Sequence, residues 1–117
     1  MRALALLVLL AACEDRPAPT ASGPPRMEQG ERQRGMALCN AYVARLCRCA
    51  EKDAGLKERC ELAKGMPQGL ELHTELLDGQ KGALNDRERR LTEAGAREIV
   101  AACVAEDGKL DPAQCPR

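Results

Sequence analysis

The chain has no phenylalanine and no tryptophan, and Tyr42 is the only aromatic among 117 residues. A core without large rings must draw its apolar area mainly from leucines, so it is thin. The same lack removes the stacking platforms on which single-strand binders lay bases. Charge is balanced, with 18 Lys and Arg against 18 Asp and Glu. No basic face is left over for nucleic acid. Serine occurs once, as Ser22 in a proline-rich stretch, and histidine once, as His73. A Ser-His-Asp nucleophile therefore cannot be assembled in the folded part. Gly65, Gly69, Gly79 and Gly82 are scattered breakers and caps, not a phosphate-cradling loop. No small-molecule substrate, cofactor, catalytic set or metal-ligand set is implied. Alternating β-branched runs are missing too, which leaves helix as the regular structure the pattern supports.

What is present begins at the N-terminus. Arg2 precedes an apolar run, Ala3 to Ala12, that closes on Leu10-Ala11-Ala12-Cys13. A bilayer-spanning helix takes about 20 apolar residues, so this run is too short for a permanent span. A charge, a greasy segment and small residues in that order are what a secretory signal needs. Leu10 stands third before Cys13, where an ordinary signal peptidase requires a small side chain. The segment resembles the lipobox of bacterial lipoproteins, over residues 1–13 only. The resemblance implies that residues 1–12 are removed and that Cys13, diacylated on sulfur, becomes the new N-terminus. It also implies a lipid-anchored protein facing the periplasm or exterior, with the membrane as one partner. Inner and outer membrane both stay open, since Glu14 and Asp15 fit sorting rules only loosely.

Residues 14–26 read EDRPAPTASGPPR and carry four of the seven prolines. Such a stretch buries too little to offset its ordering entropy, so residues 13–30 are expected to form a disordered tether. At ~3.1 Å per residue its first part reaches roughly 40 Å.

Seven cysteines are present, at 13, 39, 47, 49, 60, 103 and 115. Assigning Cys13 to lipid leaves an even number in residues 31–117, the expected folded domain. Small exported domains with thin cores use disulfides as staples worth ~2–4 kcal/mol each. Helix one is expected over about 31–51, with Met36, Leu38, Cys39, Tyr42, Val43, Leu46, Cys47 and Cys49 as its apolar set. Asp53 and Gly55 end it, and helix two follows over about 56–64. Helix three, about 68–78, starts after Gly65-Met66-Pro67 and carries Leu70, His73, Leu76 and Leu77. Asn85 and Glu88 form a capping box for helix four, which runs to about Asp107 with Leu91, Ile99, Cys103 and Val104 inward. A tail, 109–117, holds Cys115. The expected fold is all-α: a small disulfide-stapled bundle of three to four helices behind a disordered tether.

Helix geometry narrows the 15 pairings that six cysteines allow. Cys47 and Cys49 lie about 160° apart around helix one, so they staple it to different neighbours. Cys47 and Cys60 are equally far from the turn at Asp53-Ala54, which pairs them across a hairpin. If helix four runs antiparallel to helix one, Cys103 meets Cys39, and Cys115 is left for Cys49.

The expected function is a lipid-anchored envelope lipoprotein whose helical domain is non-catalytic and structural or partner-binding, with an envelope protein as candidate partner. The competing reading is thiol-redox or metal chemistry at Cys47 and Cys49. Cys-x-Cys lacks the paired CxxC spacing of structural zinc sites, and an oxidising compartment disfavours free thiolates. His73, among Leu70, Leu76 and Leu77, reads as a boundary histidine. Arg87, Arg89 and Arg90 form one basic cluster at the start of helix four, where cations are slightly unfavourable. It reads first as a surface patch and second as a contact for anionic lipid or cell-wall polymer.

Overall fold

The computed structural model describes residues 24–79 and 82–117. The expected signal peptide, the acylated Cys13 and most of the tether lie outside the described residues. Four α-helices follow one another: α1 Gln29–Lys52, α2 Lys57–Ala63, α3 Gly65–Leu77 and α4 Asp86–Gly108. A 3-10 turn, Ala54–Leu56, leads into α2. The described residues contain no strand.

Local chemistry sets most boundaries. Asp53 ends α1, and its Oδ1 accepts the Gly55 N–H at 2.9 Å to start the 3-10 turn. Asn85 and Glu88 form the capping box of α4, each side chain accepting the other's backbone N–H at 2.9 Å. Two starts come earlier than expected. Helix α3 begins at Gly65, not Gln68, because Pro67 falls in its first turn, where the missing N–H would have had no intrahelical partner. Its ring does exclude the carbonyl one turn back, and Lys64 alone breaks the rod there. Helices α2 and α3 therefore act as one bent rod. Helix α1 begins at Gln29, not Glu31, and the tether expected to residue 30 gives way to packed chain by Met27, 7% exposed. Met27 enters a crevice between α1 and α4 beside Gly35 and Val100. There it finds the apolar contact that the exposed Pro24, Pro25 and Arg26 lack.

The three rods run up, down and up. Contacts between α1 and α4 keep a nearly fixed offset: Glu31 with Arg97, Cys39 with Cys103 and Arg45 with Asp107 are 66, 64 and 62 residues apart. A fixed offset means parallel helices, so the expected antiparallel pairing of α1 and α4 is corrected. The cause is the bent rod. Because α2 and α3 together make a single return pass, α4 must travel in the direction of α1. The return pass runs antiparallel to α1, with partners advancing from Cys60 to Asp78 as α1 is followed back from Cys47 to Arg32.

Three disulfides tie the rods: Cys39–Cys103 joins α1 to α4, Cys47–Cys60 joins α1 to α2, and Cys49–Cys115 joins α1 to the tail. Their Cα–Cα distances are 5.1, 5.0 and 5.3 Å. Leu46, Leu70, Cys39 and Cys103 are the largest fully buried side chains, so sulfur takes the place that rings hold in other cores. Ala96 and Tyr42 pack beside them. Leu38, Leu91 and Val104, expected inward, are exposed. With three rods instead of four, each helix is covered over a narrower arc, and these three stand outside it.

Candidate functional site

The sequence-predicted residues do not converge on one centre. Cys47 and Cys49 point to opposite flanks of α1 and bond to different elements, so they form no dithiol pair. All six cysteines of the described residues are disulfide-bonded. Among the described residues no group of three or more His, Cys, Asp or Glu is placed to share an ion. His73 is half-buried between α3 and α4. Its Nδ1 lies 2.7 Å from the Gly69 carbonyl oxygen, so this nitrogen carries the proton and donates it. Its Nε2 faces Gly95, where an added Cβ would come within 2.6 Å. Arg87 and Arg90 are exposed on the first turns of α4, and Arg89 is half-buried. Cys13 lies outside the described residues.

The most constrained polar group is one the sequence reading passed over. Arg45 is 5% exposed on α1. Its Nε donates to the Cys115 carbonyl at 2.8 Å, and Nη1 donates to the Asp107 carbonyl at 3.3 Å and carboxylate at 3.1 Å. The guanidinium thus satisfies the Asp107 carbonyl at the C-terminal end of α4, where a cation complements the helix dipole, and the Cys115 carbonyl of the tail. It also holds the tail beside the Cys49–Cys115 bond. One signal was available: Arg45 sits at helical spacing from Tyr42 and Cys49 and next to Leu46, inside the apolar face.

Beyond Arg45 the seam between α1 and α4 opens into a groove of about 460 Å³. Leu38, Tyr42 and Val104 supply its apolar wall, and Arg48 and Arg117 its rim. Arg48 makes no ion pair among the described residues, and Arg117 reaches Asp107 only at 3.9 Å. The one acid lining the groove, Asp107, is committed to Arg45. This groove therefore offers apolar contact beside uncommitted positive charge.

The other end of the seam is closed by Glu31 and Arg97, whose carboxylate and guanidinium meet at 2.7 and 3.1 Å. Hydrogen bonding by Arg97 holds the Glu31 carboxyl below its ordinary value, aided by the charges of Arg97 and Arg34 and opposed by burial. The same bond raises Arg97, with Glu93 one turn earlier adding to the effect. Arg97 also donates from Nη2 to the Pro25 carbonyl at 2.8 Å, fixing where the chain enters the bundle. Half-buried Glu106 is likewise lowered, by a hydrogen bond from Lys109. Compared with known proteins, the chain matches no family model, no curated protein and no solved structure.

Proposed function

We propose that this chain is an exported lipoprotein, acylated on Cys13, whose helical domain is a non-catalytic binding module at the cell envelope. One observation carries the reading: a lipobox-type segment ends on the only cysteine outside the domain, and the other six form three disulfides. One thiol thus remains for lipid, and the rest are used as an oxidising compartment allows. The groove between α1 and α4 is the binding face in this reading. Its partner is a segment of an envelope protein that presents an apolar side chain flanked by carboxylates, which complements Leu38 and Val104 beside Arg48 and Arg117.

The intact mass of the mature protein, with and without reductant and alkylation, tests the first half. The expected result is a chain that begins at Cys13, carries acyl mass and takes up no alkylating agent before reduction. An uncleaved, unacylated chain with free thiols overturns it. Two alkylatable thiols at Cys47 and Cys49 would instead favour the redox or metal reading, which the separate bonding of those residues argues against. For the groove, Arg48→Glu is expected to weaken binding of an acidic amphipathic probe peptide about tenfold, read by fluorescence anisotropy. Unchanged affinity removes the groove from the proposal.

A further inference from the structure

The outer face of α3 and α4, opposite α1, bears two matched stripes. On α3 the spacing runs Gly65, Gly69, Leu72, Leu76, and on α4 it runs Leu91, Gly95, Glu98, Ala102. Each follows the i, i+4, i+7, i+11 periodicity that keeps residues on one helix flank. The helices approach closely between the stripes, since a Cβ on Gly69 would lie 3.3 Å from Ile99 Cδ1 and one on Gly95 would meet His73. The result is a shallow groove of about 550 Å³ with a floor of small residues. Leu62, 71% exposed, lines it, and Leu72 (61%), Leu76 (46%) and Leu91 (63%) stand exposed on the same outer flanks of α3 and α4.

Charge is divided across the groove. Toward the end where α3 stops and α4 starts, α3 carries Glu71 and Glu75 and α4 carries Arg87 and Arg90, and the approach of Gly69 to Ile99 and of His73 to Gly95 sets Glu75 nearly level with Arg90. None of the four makes an ion pair among the described residues. One rim is acidic, its neighbour basic, and both are unspent.

We propose that this face binds a second copy of the chain about a two-fold axis running along the groove. Rotation about that axis lays α3 of each copy over α4 of the other at the same height. Glu75 then opposes Arg90 of the second copy, and Leu76 opposes Leu91, with each contact made twice. An axis across the groove would stack α3 on α3 with ends reversed and leave all four charges unmatched. The chosen axis also keeps both chain entries, at the start of α1, on one end of the dimer. If Cys13 is anchored as proposed above, both anchors then meet one membrane. This last point alone rests on that reading, whereas the charge argument does not.

The test is sedimentation velocity on the full chain, disulfides formed, over a wide concentration range. The expected result is a reversible dimer. Arg90→Glu and Glu75→Arg should each weaken it about tenfold, and the two together should restore it to within about threefold. Leu76→Asp should abolish it, while Lys52→Glu, a charge reversal at the far end of α1, should leave it unchanged. All these residues are exposed, so folding is preserved, and far-UV circular dichroism checks this. Cys13→Ala is expected to dimerise like the parent chain, which separates failure of anchoring from failure of the interface. A monomer at every concentration overturns the proposal, even if anionic phosphatidylglycerol vesicles then bind the face. A dimer indifferent to Leu76→Asp and to the charge swap overturns it equally.

Discussion

An arginine on the buried face of a helix survives only if its N–H groups find acceptors, and Arg45 finds them at the end of α4 and in the tail. Deleting it strands the Cys115 carbonyl and loosens Asp107. Arg45→Met keeps the aliphatic volume and removes only the charge and donors. It should cost about 2–3 kcal/mol, read as a lower urea midpoint at unchanged slope. A loss below about 0.5 kcal/mol, the range of neutral surface changes, would remove Arg45 from any structural role. Gly35 makes the complementary case, where absence of a side chain is what the site needs. A Cβ there would come within 2.6 Å of Val100 Cγ2, and a branched valine has little rotamer freedom to move away. The helix-propensity gain of Gly35→Ala, about 1 kcal/mol, is therefore outweighed by overpacking of about 1–3 kcal/mol. Gly65→Ala meets nothing within 4 Å and should not destabilise at all. Opposite signs for the two substitutions in one thermal-melt series check the close approach of α1 and α4.

At the scale of elements, the parallel contact of α1 with α4 is clasped by Glu31 and Arg97 near the start of α1. The folded pKa of Glu31 lies below its unfolded value, about 4.3. The clasp thus adds stability above that value, and the addition vanishes as pH falls through the lower, folded pKa. Glu31 is 36% exposed, so solvent screening holds the gain under about 1 kcal/mol. Glu31→Gln should be less stable than the parent chain near neutrality, and the gap should close in acid below the ordinary carboxylate range. A pH-independent gap would mean that Glu31 acts by packing and not by charge. This clasp and Arg45 also mark where the sequence stopped being legible. Helix class, the capping box at Asn85 and the stop at Asp53 could be read because each rests on neighbours in the chain. The direction of α4 could not, because it depends on whether Lys64 separates two rods or bends one. That depends in turn on a proline in a first turn, which is tolerated where a proline one turn later is not. Arg45 was hidden because its acceptors lie more than 60 residues away, and within α1 it reads as a polar interruption of an apolar face. Leu91 and Val104 misled in the opposite sense: helical spacing marks an apolar flank, but only the number of covering rods decides whether it is buried.

For the whole molecule, the question is what keeps so small a core folded. Among the described residues Leu46 and Leu70 are the only large aliphatic side chains fully out of water, and no ring larger than that of Tyr42 contributes. The disulfides close loops of 13, 64 and 66 residues. By loop entropy the short one contributes about 3 kcal/mol and each long one about 4 kcal/mol, less whatever the overlapping loops share. Domains of this size have only about 5–15 kcal/mol in hand, so the three bonds are comparable with the entire net stability. Two outcomes follow from that comparison. Replacing Cys39 and Cys103 by alanine should lower the melting temperature more than replacing Cys47 and Cys60, because the first pair closes the longer loop and also fills the centre of the core. Full reduction should abolish cooperative melting at 25 °C and above, read as collapse of the helical circular dichroism signal on adding a phosphine reductant. If the reduced chain instead keeps a sharp transition, burial around Leu46, Leu70 and Ala96 is sufficient by itself, and the crosslinks serve something other than the fold.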